Sequence, residues 1–158
     1  MAMPLSPDDL FAQISALGIA VNTVKHPPLF TVEQSKALRG ELPGGHTKNL
    51  FLKDKKDRMW LVTAEEDRPI DLKALGTALG ASGRVSFGSP ERLMRHLGVI
   101  PGAVTPFGLV NDADGLVRFV LDEGLVRHAV LNFHPLTNEA TTAIARDDFL
   151  RFMEAIGH

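Results

Sequence analysis

Residues 48–64 read KNLFLKDKKDRMWLVTA, and this stretch decides the fold class. Lys48 to Lys53 and Met59 to Ala64 alternate in the period of two that a strand imposes, and they flank the polar run Asp54-Lys55-Lys56-Asp57. The pattern predicts an antiparallel hairpin with a solvated, cationic tip. Further along, Asp71 is placed to cap a helix carrying Leu72, Leu75, Ala78 and Leu79, and Arg84 to Gly88 reads as a short strand. Ser89-Pro90-Glu91 then opens a helix with Leu93, Met94 and Leu97 that Gly98 ends. Phe107 to Val110, Val117 to Asp122, Ala129 to Phe133 and Glu139 to Ile144 are strand candidates, with a turn at Asp112-Ala113-Asp114-Gly115. A helix from Asp147 to Ile156 closes the chain; Ala145 and Arg146 make a weak cap, while Asp147 and Asp148 suit the positive end of its dipole.

Before the hairpin, Ser6 is an N-cap with Pro7 at the first helical position, followed by Leu10, Phe11, Ile14 and Leu17 at helical spacing up to Gly18. Ala20 to Lys25 reads as a strand ended by His26-Pro27-Pro28, and Thr31-Val32-Glu33-Gln34 as a capping box opening a helix to about Leu38. Gly40 to Gly45 is a loop. Several strands are joined by turns too short for parallel crossovers, so the helices must flank a mixed, mostly antiparallel sheet in a single α/β domain over residues 1–158.

Composition narrows the function classes. At 158 residues the chain is long enough for one core, and 44% hydrophobic against 23% charged residues excludes a disordered chain. Without cysteine there is no disulfide, thiolate nucleophile or cysteine-ligated zinc. A net charge of −2 confines any nucleic-acid affinity to a local basic face. No apolar run nears the roughly 20 residues of a membrane span, and the first residues lack a basic and then apolar leader, so a cytoplasmic protein is expected.

Familiar catalytic motifs are missing. Gly40 to Gly45 places two glycines five apart, yet His46-Thr47-Lys48 follows where a phosphate loop needs Lys and then Ser or Thr. The six histidines form no short-range ligand pair. His134 stands apart because it ends the apolar run Val130-Leu131-Asn132-Phe133 directly before Pro135; both a structural and a pocket role fit it. Lys48 fits either a solvated strand end or a cleft-facing cation, with Asn49 on the opposite face unless a bulge intervenes. Gly102-Ala103-Val104-Thr105-Pro106 is either a rigid connector or a set of amides converging on an oxyanion.

Three segments taken together, HTKNLFLKDKK (46–56), GVIPGAVTPFGL (98–109) and VLNFHPLTNEATTAI (130–144), resemble the YbaK-like superfamily related to the editing domain of bacterial prolyl-tRNA synthetase. The nearest likeness is to its free-standing alanyl-tRNA(Pro) deacylases, the ProXp-ala branch, over nearly the whole chain. The resemblance implies the YbaK-like editing fold and an active site with Lys48 and its neighbour Asn49. It also implies backbone amides from Gly102, Ala103, Val104, Thr105 and Pro106's loop, and a substrate pocket that includes His134.

The implied reaction is hydrolysis of the ester joining wrongly attached alanine to the terminal ribose of tRNA(Pro). An aminoacyl ester is already activated, so no covalent nucleophile is needed; the attacking group is water or the neighbouring ribose hydroxyl. A pocket sized for a methyl group rejects proline by overlap, with Leu29, Phe30, Leu50, His134 and the 102–106 loop as walls. Lys36, Arg39, Lys53, Lys55 and Lys56 are the expected tRNA contacts, and the 31–46 stretch is expected to shift as the acceptor end enters. The expected partners are the tRNA(Pro) acceptor end carrying alanine, with prolyl-tRNA synthetase or elongation factor as docking candidates, and neither DNA nor membrane. No metal or dissociable cofactor is implied. The rivals are a cysteinyl-tRNA(Pro) deacylase of the same superfamily and a non-catalytic tRNA- or synthetase-associated module.

Overall fold

The hairpin forms where the alternation predicts it. In the computed structural model, which describes residues 4–27 and 44–158, β2 (Gly45–Lys53) pairs antiparallel with β3 (Met59–Glu65). The register sets Lys48 against Ala64, Asn49 against Thr63 and Phe51 against Leu61. Phe51, Met59 and Leu61 therefore face one core, while Leu52, Trp60 and Val62 face another. Burial on both faces is why Met59 to Ala64 is an almost unbroken apolar run.

The other strands extend this pair into one sheet. β1 (Val21–Lys25), β4 (Ser86–Phe87), β5 (Val117–Leu121), β6 (Val130–Phe133) and β7 (Ala140–Ala145) give the order β1-β7-β6-β2-β3-β5, with β4 also pairing β2. Four pairings are antiparallel, and β2–β6 and β3–β5 are parallel. Helix α1 (Pro7–Ala16) and helix α4 (Arg146–Ala155) bury Leu10, Ile14, Phe149 and Phe152 in the larger core. Helix α2 (Leu72–Leu79) lays Leu72, Leu75 and Leu79 on Trp60, Val62 and Val85. Helix α3 (Pro90–Leu97) contributes Leu93 and Leu97 to the larger core. The expected caps are present: Ser6 with Asp9 forms a capping box, Asp71 and Ser89 cap α2 and α3, and α4 starts without a side-chain cap.

Three expectations change. Phe107 to Val110 is not a strand but part of a 3-10 helix, Pro106–Asn111. Pro106 presets its first turn, and the Thr105 hydroxyl accepts from the Phe107 amide. Phe107 thereby becomes the hub of the core, edge-on to Phe133, Phe149 and Phe152 at centroid separations of 5.5, 6.2 and 5.7 Å. The strand over Arg84 to Gly88 shrinks to Ser86–Phe87, and Glu123–Arg127 forms a 3-10 turn with no sequence signal. The capping box at Thr31, the helix to Leu38 and the start of the following loop lie outside the described residues.

The third change concerns the hairpin tip, which is not simply solvated. Asp54 is buried, and its carboxylate accepts from the amides of Lys56, Arg58 and Ser82 and from Arg58 Nε at 2.9–3.0 Å. Burial pushes this carboxyl up, but the Ser82 and Arg58 amides, the Arg58 guanidinium and the Lys56 amide outweigh it and hold the pKa at about 2. An unfolded aspartate titrates near 3.8, so this stabilisation is complete above about pH 4 and is lost as pH falls toward about 2. Asp54→Asn is expected to lower Tm at pH 7 and to flatten the fall of Tm between about pH 4 and pH 2. Thermal denaturation across that range, with an unchanged slope in the variant as the contrary result, checks it.

Candidate functional site

The parallel pairing of β2 with β6 builds the site. Gly45 lies in register with Leu131 and His46 with Asn132. Cross-links reinforce it: Thr47 Oγ1 donates to the Asn132 carbonyl at 2.8 Å, and Asn132 Nδ2 donates to the Gly45 carbonyl at 3.3 Å. The pairing ends at His46 and Asn132, two residues before Lys48 on β2 and before His134, which follows the last residue of β6.

His134 is largely sheltered from water. Its Nδ1 lies 3.1 Å from the Ala140 carbonyl, which only accepts, so Nδ1 carries the proton and a neutral ring leaves Nε2 as an acceptor. The His26 ring stands edge-on at 6.4 Å. By the same logic His26 donates from Nδ1 to the Pro27 carbonyl, and its Nε2 accepts from Thr141 Oγ1, both at 2.8 Å. Burial lowers the His134 pKa below 6.5; the Ala140 bond raises it less, and the neighbouring His26 adds to the fall. Sequence reasoning missed His26. Its signal was there, because both histidines end a strand directly before a proline, His26-Pro27 and His134-Pro135.

On the other side of Lys48 the ammonium donates to the Arg68 carbonyl. Arg68 Nε in turn meets Asp122 Oδ2 at 2.6 Å. Asp122 also accepts from the Gly124 and Glu65 amides at 3.0 and 3.2 Å. Its burial acts to raise the pKa, but these amides and Arg68 overcome it and keep the carboxyl below the ordinary range. Arg68 and Asp122 border a groove of about 440 Å³ floored by Val62, Ala64 and Val120 and walled by Ile70, Leu75 and Ala78. Neither residue carried a local sequence signal, since they are 54 positions apart and meet only because β3 and β5 pair.

The remaining candidates divide. Leu50 shares the face of Lys48, whereas Asn49 points to the opposite face and accepts from Thr63 Oγ1 at 2.5 Å. The 102–106 segment packs on that second side: Ala103 is buried with Phe51 in the larger core, and Val104 packs against it. Gly102 and Ala103 belong to a 3-10 turn, Pro101–Ala103, in which the Ala103 amide donates to the Ile100 carbonyl at 2.9 Å. Thr105 and Pro106 are buried at the start of the next 3-10 helix. Among the described residues no hydrogen bond joins this segment to Lys48 or His134. Lys53, Lys55 and Lys56 lie at the hairpin tip, with Lys53 Nζ 3.8 Å from Asp57. Leu29, Phe30, Lys36 and Arg39 are outside the described residues.

Comparison with known proteins adds independent findings. Residues 26–152 match the model of the aminoacyl-tRNA editing domain. The chain is 43% identical over 154 residues to the prolyl-tRNA synthetase associated domain-containing protein 1 of Mus musculus, covering 95% of this chain and 90% of the mouse protein. It is 35% identical over 150 residues to the prolyl-tRNA editing protein ProX of Acetoanaerobium sticklandii, covering 94% and 91% of the two chains. Among solved structures, one described as a candidate trans-editing enzyme for prolyl tRNA synthetase superposes with a TM-score of 0.73 at 19% identity, over 95% of this chain and 94% of that one. This last likeness speaks for the fold.

A neutral His134 has a measurable signature. Its ring is expected to titrate with a midpoint below 6.5 in a histidine-resolved NMR titration; a midpoint at or above 6.5 contradicts the burial argument. As pH falls through 6.5 the unfolded chain takes its proton first, so this residue's contribution to stability is full above that pH and shrinks below it.

Proposed function

Because the chain belongs to the aminoacyl-tRNA editing domain family, we propose that it acts in trans as a deacylase on alanyl-tRNA(Pro), releasing alanine and excluding proline by size. What supports this reading is the β2–β6 pairing, which ends two residues short of both Lys48 and His134, together with the sheet face that Lys48 shares with Leu50. A cation and a neutral imidazole acceptor suit the two charged ends of an aminoacyl ester of tRNA. Lys48 attracts the terminal ribose-phosphate; His134 Nε2 accepts from the substrate's ammonium.

In the reaction an oxygen of water, or of the neighbouring ribose hydroxyl, adds to the ester carbonyl carbon. The tetrahedral intermediate then collapses, the bond to the ribose oxygen breaks, and that oxygen takes a proton. When the ribose hydroxyl attacks, water completes the release from the transferred ester. Backbone amides aimed at the developing oxyanion lower the barrier by several kcal/mol in sites of this type. The resemblance gives this role to the 102–106 segment, whose Ala103 and Val104 pack on the Asn49 side of β2 and whose Ala103 amide is committed to Ile100, so no amide of that segment is assigned to the oxyanion here. Asn49, held by Thr63, keeps β2 in the register that aims Lys48 to the other face.

Size supplies the discrimination. Overlap with pocket walls rejects a larger ring far more strongly than a roomy pocket favours a larger side chain, which gains only about 1–3 kcal/mol per methylene. Leu50 and His134 form the described part of that wall, and Leu29 and Phe30 are assigned to the rest. Lys53, Lys55 and Lys56, with Lys36 and Arg39, supply the cationic face for the acceptor stem.

Hydrolysis of alanyl-tRNA(Pro), prolyl-tRNA(Pro), cysteinyl-tRNA(Pro) and alanyl-tRNA(Ala) tests the reading. Selective loss of alanine from tRNA(Pro), reduced about a hundredfold in Lys48→Ala, is the expected result. Preferred cysteine release reassigns the specificity, and tRNA binding with no hydrolysis of any ester removes the catalytic assignment. Replacing Lys53, Lys55 and Lys56 together by Gln is expected to reduce the slope of log K against log salt by about 3, as three phosphate contacts on a duplex stem predict. An unchanged slope in a salt titration of tRNA binding places the RNA elsewhere.

A further inference from the structure

Phe87 is 59% exposed, the most exposed large hydrophobic side chain among the described residues. A lone exposed aromatic is ordinary on a protein surface. Three features single this one out: a rigid mount, a basic setting and its place on the sheet.

The mount is rigid because both neighbours of Phe87 are committed. β4 pairs with the end of β2, setting Ser86 against Lys53 and Phe87 against Leu52. On the other side the Gly88 amide donates to the Phe51 carbonyl at 2.9 Å, and Ser89 caps α3. Gly88 itself is constrained by packing, since a Cβ there would stand 2.4 Å from the Phe51 ring. The Phe87 ring is therefore presented outward on backbone that packing has already ordered.

Its surroundings are cationic. Lys55, Lys56 and Arg58 come from the hairpin tip, Arg84 from the approach to β4 and Arg92 from α3, while Lys53, paired with Ser86, points to the opposite face. The Lys55 amide donates to the Ser82 carbonyl, and its aliphatic stem lies against Gly83, so the tip and the 82–84 loop form one surface. Five cations stand against three carboxylates, Asp54, Asp57 and Glu91. Asp54 is buried in its cage, and Asp57 is shared between Lys53 and Arg92 at 3.8 and 3.3 Å. An aromatic platform among cations is the arrangement that holds single-stranded nucleic acid.

The sheet gives the distance. Phe87 is the direct partner of Leu52, which shares the face of Leu50 and Lys48. Lys48 and Leu52 are four residues apart on β2, about 13 Å at the rise of a strand. Stacked nucleotides advance 3.4 Å each, so that span is about four nucleotides, the length of the unpaired 3′ end of a tRNA. We infer that Phe87 is a stacking platform for a nucleobase at the stem-proximal end of the unpaired 3′ strand, while the esterified terminal ribose lies at Lys48. This rests on the deacylase reading for the position of the ester, but the stacking contact can be read without hydrolysis.

The test uses an uncharged tRNA(Pro) acceptor-stem minihelix with 2-aminopurine in its unpaired 3′ strand, titrated with the full chain. Stacking is expected to change the fluorescence most at the position nearest the stem, and Phe87→Ala to abolish that change and weaken binding about tenfold. Phe87→Trp is expected to restore binding, and Phe87→Leu to leave it weak, because an aliphatic side chain packs but does not stack. Unaltered fluorescence and affinity in Phe87→Ala, or full rescue by Leu, overturns the inference, as does binding carried by a protein partner with no response to the minihelix. In parallel, Lys48-dependent hydrolysis reports on the proposed function: its absence with an intact Phe87 signal removes the deacylase and leaves the RNA platform standing.

Discussion

Everything in the site depends on the register of β2, and the Asp54 carboxylate pins that register at the turn. Its bonds to the amides of Lys56, Arg58 and Ser82 close the hairpin and tie it to the loop after α2. A slip of one residue would exchange Phe51 with Leu52 between the two cores and turn Lys48 away from the face it shares with Leu50. β2 is also the strand with most partners, meeting β3 along one edge and β6 and β4 at opposite ends of the other. One strand thus carries the lysine, pairs with the strand that leads into His134 and holds the mount for Phe87.

Two mismatched surfaces of β2 divide the labour. On the Asn49 face Thr63 holds the amide, and Phe51 packs in the larger core with the aromatic cluster around Phe107. The Lys48 face opens toward polar groups on both sides. His134 and His26 lie toward β6 and β7, and the Arg68–Asp122 pair lies toward β3 and β5. Burial keeps His134 short of protons at neutral pH, while the Arg68 carbonyl holds the lysine ammonium in place.

The aromatic cluster explains why the segment after Gly102 is rigid. Phe107 is anchored against three other phenylalanines, so the 3-10 turns on either side of Val104 have little freedom. A strand at this place would have sent alternate residues out of the core; the 3-10 helix lets Pro106, Phe107, Gly108 and Leu109 all be buried in succession. Gly108 permits this approach, since a Cβ there would lie 3.0 Å from the Leu97 carbonyl.

Local rules were enough for much of the molecule. The hairpin, the capped starts of α1, α2 and α3, and the strands around Val117, Val130 and Ala140 follow from alternation and capping residues that act over a few positions. Lys48, Asn49 and His134 were singled out through three segments that resemble one family, and their roles belong to the proposed function. What the sequence could not decide is which distant residues meet. The burial of Asp54 needed Ser82; the Arg68–Asp122 pair needed β3 beside β5; His26 against His134 needed β1, β7 and β6 in order. The opposite facing of Lys48 and Asn49 was settled by the absence of a bulge in β2. Periodicity specifies the two faces of a strand, but only the packed sheet specifies what each face meets, because pairing partners are chosen by long-range burial and not by neighbours in the chain.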